Sequence, residues 1–178
     1  ESIGCIAHIK NNKFVAGTKS GFKFIDLNTN ELTHIVNPED DLKNNRFNDG
    51  KCDNQGRFYA GTMNDVDSAP TGNFYILYND LTYKKIDEGY EVTNGPAFSN
   101  DYKKIYFTDT RQGKIYISDL NSDGTINYGA FEKASGGILL IDEVSEIPLE
   151  TQAKILRVLT DQKFKRINGM HDINVNVR

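Results

Sequence analysis

Asp142 and Glu143 close an uninterrupted apolar run that begins Gly136-Gly137 and continues Ile138-Leu139-Leu140-Ile141. An apolar strand ending in two carboxylates has the Walker B pattern. Buried on both faces of a parallel sheet, such a strand delivers its acids at its carboxyl end, where ligands bind. There Asp142 would hold Mg²⁺ and Glu143 would polarise an attacking water. On its own, a two-acid ending is also what a plain core strand shows. Cradling nucleotide phosphates further requires G-x-x-x-x-G-K-[ST]. The Gly-Lys pairs, Gly50-Lys51 and Gly113-Lys114, are followed by Cys52 and Ile115, and Asn45 and Thr108 stand where the first glycine belongs. No ATP hydrolysis is expected. Two other polar groups, Asn48-Asp49-Gly50 and Asn94-Gly95, read locally as turns. His8, His34 and His171 are isolated and read as strand-face or surface residues rather than metal ligands. Cys5 and Cys52 show no metal or redox spacing, which suits reduced thiols in a cytoplasmic protein. The cluster Lys163, Lys165 and Arg166 reads as a solvated face.

The elements that must carry these residues fall into two compositional regions. Phe and Tyr number 17 in residues 1–128 and 2 in residues 129–178, and Asn numbers 16 and 3. The first region has the composition of short strands and tight turns; the second is rich in Leu, Ile, Glu and Lys. The 178 residues suit one domain and a fragment, with a net charge of −4 that excludes a strongly basic nucleic-acid surface. The apolar runs are too short for a membrane span. Glu1 in place of Met, with no charged-then-apolar leader behind it, reads as a trimmed or internal start without a targeting signal.

Three segments within residues 1–128 repeat one pattern: KFVAGTKSGFKFIDLN from Lys13, RFYAGTMND…TGNFYILYND from Arg57, and KIYFTDTRQGKIYISDLN from Lys104. Each is a basic residue, an alternating strand, a turn and a second alternating strand. A strand-turn-strand unit recurring every ~40–50 residues is the signature of propeller blades. The fold expected is mainly β: a partial propeller of about three blades over 1–128, followed over 129–178 by a small α/β fragment. An open fan of blades leaves unpaired edges and an uncovered face, so self-association through open sheet edges is a further expectation.

The stretch NNRFNDGKCDNQGRFYAGTM, residues 44–63, and the segment VTNGPAFS, residues 92–99, with the strand YFTDT at 106–110, resemble the senescence marker protein (regucalcin)/gluconolactonase/luciferin-regenerating enzyme family. The resemblance implies a six-bladed propeller that hydrolyses sugar lactones with one divalent metal, Ca²⁺, Zn²⁺ or Mn²⁺. Carried over, Asn94 resembles the metal-ligating Asn, while Arg46 and Asn48 resemble the side chains on the substrate's oxygens. A guanidinium fork and an amide suit hydroxyl and carbonyl groups. Asp49 stands beside them, and an acidic substrate contact of some relatives would fall within Asn64 to Asp67. The family's G-E-[SG]-P and P-D-G segments, which supply its other two metal ligands, have no counterpart in the sequence. One Asn does not hold Ca²⁺, which takes ~6–8 oxygens, so turnover by the chain alone is not expected.

The run from Gly129 to Arg178, with SGGILLIDEVSEIPLETQAKILRVL at its heart, resembles the AAA+ domain of NtrC-like activators that partner sigma-54. It implies a Walker B strand; the spacing after it reads as a helix from Pro148 to about Gln162, with Leu149, Ala153, Leu156 and Leu159 as its apolar stripe and Ile155 beside it. Phe164–Ile167 and Ile173–Val177 read as short strands. The family's sigma-contacting loop and phosphate loop are missing. Three functions follow: an incomplete metal-dependent lactone hydrolase, an ATP-dependent transcription regulator, and a non-catalytic interaction module.

Overall fold

The computed structural model describes residues 1–166 and 172–178, and it divides into two compact units, Glu1–Ile126 and Asn127–Arg178. The compositional seam read from the sequence lies at 128/129.

The first unit is three antiparallel sheets. β1 (Ile3–Lys10), β2 (Lys13–Thr18), β3 (Gly21–Asp26) and β4 (Glu31–Val36) pair in chain order. β5 (Asn45–Cys52), β6 (Phe58–Asn64), β7 (Gly72–Leu77) and β8 (Tyr83–Tyr90) repeat the arrangement. β9 (Thr93–Phe98), β10 (Lys104–Asp109) and β11 (Lys114–Asp119) form the third sheet, with β11 as its last strand. The repeated sequence segments are the middle hairpins β2–β3, β6–β7 and β10–β11. Turn chemistry sets their ends: Asn11 and Asn12, at φ 51° and 59°, close the β1–β2 hairpin with two left-handed residues, the geometry that matches strand twist.

Alternation along the hairpins sends successive side chains to opposite faces. Phe58, Ala60, Tyr75 and Leu77 of the second sheet cluster with Cys5, Val15 and Phe22 of the first. The Phe22 and Phe47 rings lie 4.3 Å apart. Gly17 allows this approach, because a Cβ there would stand 2.8 Å from Phe47 Cβ. From the other face of the second sheet, Phe74 meets Phe107 at 4.3 Å and Tyr90 at 5.0 Å. These aromatic seams hold the sheets face to face.

The second unit contains α1 (Ala130–Lys133), a 3₁₀ turn at Val144–Glu146, α2 (Leu149–Asp161), β12 (Lys163–Phe164) and β13 (Ile173–Asn174). Ile167 of one expected strand and His171 lie outside the described residues. Three expectations are corrected here. Residues 138–141 are not a strand buried on both sides: Ile138 and Leu140 are 80 % and 86 % exposed, and the inward residue Leu139 packs with Val158, Val175 and Val177. A central strand needs a layer on each face, and the described residues supply one. For the same reason α2 turns a different side inward from the one its Leu spacing suggests. Val158 is its buried residue and Ile155 is half-buried, whereas Leu149, Ala153, Leu156 and Leu159 face solvent. Arg166 is not part of a solvated face; it pairs with Glu132 at 2.6 Å and lies 5.4 Å from the centre of the Tyr128 ring.

Candidate functional site

The first strands of the second and third sheets, β5 and β9, bring together residues that are 46 apart in sequence. Asn48 Nδ2 donates to the Thr93 carbonyl (2.8 Å) and to Asn94 Oδ1 (3.1 Å). Arg46 donates from a terminal nitrogen to Asn48 Oδ1 (2.8 Å) and to the Phe47 carbonyl (3.0 Å). Asn94 Nδ2 donates to Thr110 Oγ1 (2.6 Å). A continuous row thus runs Arg46, Asn48, Asn94, Thr110. All but Thr110, which is exposed, are half-buried. The turn reading of these residues is corrected: both Asn48-Asp49-Gly50 and Asn94-Gly95 lie within strands. Gly95 keeps one turn-like property, a φ of +50°, in a backbone region where a side chain is strained. That conformation aims its N–H at Asp49 Oδ2 (2.7 Å), which clasps β9 to β5.

Two partners of the row were not singled out from sequence. Asp65 lies within Asn64 to Asp67, where the resemblance implies an acidic substrate contact, and it pairs with Arg46 Nε at 2.6 Å. Thr110 closes the YFTDT segment one residue past β10, and that position was its only signal. Below the row, the fully buried Asp109 accepts the Glu91 N–H at 2.9 Å and fixes the entry to β9.

The donor set does not fit a calcium-type ion. Ca²⁺ takes ~6–8 oxygens, and the row with Asp49 offers fewer; of these, Asn94 Oδ1 accepts from Asn48, and each oxygen of Asp49 accepts a backbone N–H, from Gly50 and from Gly95. The described residues hold no group of three or more His, Cys, Asp or Glu able to share a metal. Asp142 and Glu143 both face solvent. The Asp142 carboxylate accepts the Glu143 N–H (2.9 Å), and Glu143 has φ 47° at the start of the 3₁₀ turn. They do not emerge from a sheet's carboxyl edge.

Consecutive meander sheets stacked on aromatic seams, with polar side chains gathered on adjoining first strands, define a partial propeller-like β protein. The chain belongs to the SMP-30/gluconolactonase/LRE-like family, whose model matches residues 1–131. A sigma-54 interaction domain model matches residues 121–178. Regucalcin of Xenopus laevis is 32% identical over 122 residues, 66% of this chain and 41% of that protein. Human regucalcin is 40% identical over 98 residues, 51% of this chain and 32% of that protein. A solved luciferin-regenerating enzyme superposes with a TM-score of 0.66 at 28% identity, covering 72% of this chain and 46% of that one. Regucalcin of Agrobacterium tumefaciens, described as a calcium-binding protein, gives 0.64 at 27% identity, with 70% and 42% covered. The chain therefore spans less than half the length of these relatives. Among the described residues no helix is long and apolar enough to cross a membrane.

Proposed function

We propose that residues 1–126 carry the substrate-facing part of a sugar-lactone hydrolase and bind a polyhydroxylated lactone without turning it over. The observation that carries this is the hydrogen-bonded row of Arg46, Asn48 and Asn94 on adjoining first strands, continued by Thr110 just past β10. Its guanidinium and amides offer donors and acceptors to ring hydroxyls and to a carbonyl oxygen. The family match supports the substrate class. Hydrolysis in the family pattern needs a bound divalent cation, and this row with Asp49 offers fewer oxygens than Ca²⁺ takes. Titration with glucono-1,5-lactone should shift the side-chain NMR signals of Asn48 and Asn94. Proton release should stay at the buffer rate with Ca²⁺, Zn²⁺ or Mn²⁺ added. A metal-dependent rate above buffer overturns the non-catalytic reading, and unmoved amide signals overturn the binding.

A second reading concerns residues 127–178, as a piece of an AAA+ sheet carrying Asp142 and Glu143. Backbone pairing favours it: Arg178 N–H bonds to the Gly137 carbonyl (3.2 Å) and Leu139 N–H to the Arg178 carbonyl (2.9 Å). One residue bridging i−1 and i+1 of its neighbour is the parallel pattern, the pairing expected beside a Walker B strand. Without a phosphate loop, calorimetric titration with Mg-ATP should be flat. A saturable heat favours the ATP-dependent regulator instead.

A further inference from the structure

The register of the three middle hairpins assigns each position a packing role. Gly17, Gly61 and Thr108 pair with Phe22, Phe74 and Ile115. Val15, Tyr59 and Tyr106 pair with Phe24, Ile76 and Ile117. In the first two sheets these second-strand residues pack toward the following sheet, with Phe22, Phe74 and Ile76 fully buried. In the third sheet the equivalent Ile115 and Ile117 are 69 % and 55 % exposed. The opposite role, packing toward the preceding sheet, belongs to Phe58 and Ile105, both buried. Its equivalent on the first sheet is Phe14, cross-strand to Ile25, which in turn faces Leu32. Phe14 is half-buried and Ile25 buried, and the same face carries Ile6 and Leu32 at 52 % and 48 % exposed. The chain thus displays both halves of its own inter-sheet seam, one on each outer sheet.

The geometry points to a second copy of this chain as the occupant of both faces. The third sheet of each copy packs on the first sheet of the other, and two copies close a ring of six sheets. Three observations favour this occupant. The repeat makes the two exposed faces equivalent to surfaces that already pack together within the chain. Each copy contributes three sheets, so a pair brings six, and rings close with ~4–8 blades. The area also suffices. Strands about 4.8 Å apart, rising about 3.3 Å per residue, give a face three to four six-residue strands wide about 300–400 Å². Two such interfaces bury about 1,200–1,600 Å² in all, the size of a standard stable interface. A head-to-tail contact forms a closed pair only when its rotation closes.

The test is the mass of the full chain in solution by equilibrium sedimentation, with Ile117→Asp and Leu32→Asp as variants and circular dichroism as the check on folding. Both positions face solvent in the single chain, so the fold should survive; Ile117→Ser and Leu32→Ser serve as milder replacements. The expected result is a species of twice the 20.1 kDa chain mass, with either Asp substitution weakening pairing by more than about tenfold. A chain that is monomeric at all concentrations overturns the proposal. So does a pair sensitive to one variant only, which means like-to-like contact, and so do assemblies that grow beyond two copies. The inference concerns assembly alone and stands whether or not the lactone binds.

Discussion

Glu39 lies in the loop between the first two sheets and is buried. Its carboxylate collects four donors from three strands: Asn45 of β5 (3.0 Å), Thr62 of β6 (2.8 Å), and Asn73 and Tyr75 (3.0 Å) of β7. The substitution Glu39→Gln keeps the shape and replaces one acceptor oxygen with a donor. If the amide oxygen stays toward Thr62, Asn73 and Tyr75, the new NH₂ faces the Asn45 amide. Asn45 already gives one proton to the Thr71 carbonyl (2.9 Å), so its other is left without an acceptor. One unsatisfied buried donor costs about 1–3 kcal/mol, and the remaining bonds lose their charge assistance. The expected loss is about 2–3 kcal/mol. For a unit the size of Glu1–Ile126 this lowers the melting temperature by about 6–15 °C in calorimetry. Glu88→Gln, on an exposed side chain, should stay within about 0.5 kcal/mol. A Glu39→Gln protein melting within about 1 °C of the parent refutes the assignment of Glu39 as the polar hub of the second sheet.

Alkaline solution should destabilise the fold. Burial pushes the Cys5 thiol up to about 12 and raises the Tyr59 and Tyr75 phenols. The folded state therefore keeps protons that the unfolded chain releases. For the thiol the stabilisation is complete below the unfolded value near 9 and is lost as pH rises toward 12; for the phenols the loss begins above the unfolded value near 10; each falls by about 1.4 kcal/mol per pH unit within its window. The urea midpoint should be lower at pH 10.5 than at pH 8, and an equal or higher midpoint contradicts the burial of these groups. Phe74→Ala removes the ring that joins Phe107 and Tyr90 across the second seam, and it should cost about 3–5 kcal/mol in urea denaturation. A loss under about 1 kcal/mol would show that the seam repacks.

The middle hairpins were legible because they do the packing. Phe22, Phe58, Phe74 and Phe107 stand at alternating positions between turn residues, and the register repeats with them. The first strands were harder to read. Asn-Arg-Phe-Asn-Asp-Gly-Lys-Cys of β5 and Thr-Asn-Gly-Pro-Ala-Phe of β9 carry amides and glycines, which suit turns, and their extended form comes from neighbouring strands. Arg46, Asn48 and Asn94 were found through a family resemblance; the bonds that link them span 46 residues and leave no local trace. Glu39 gave no signal, since an acid in Asn-Pro-Glu-Asp-Asp reads as solvent-facing until the donors of β5, β6 and β7 converge on it. In the second unit, Leu149 and Leu156 misled because leucine spacing reports a sticky side of a helix without saying whether a partner is present.

This division between hairpins that pack and first strands that present polar groups has a consequence at Asn48. Its amide joins Arg46 to Asn94 and holds the Thr93 carbonyl, yet it is half-buried, so water can replace the bonds lost in Asn48→Ala. Arg46 keeps Asp65 and the Phe47 carbonyl, and Gly95 keeps Asp49, so β5 and β9 remain clasped. The stability cost should be about 1 kcal/mol, well below that of Phe74→Ala. Lactone binding, which needs Arg46 and Asn94 held in one orientation, should weaken more than tenfold by NMR titration. If Asn48→Ala instead unfolds the first unit as readily as Phe74→Ala, the polar row is a structural seam and its claim on a ligand fails.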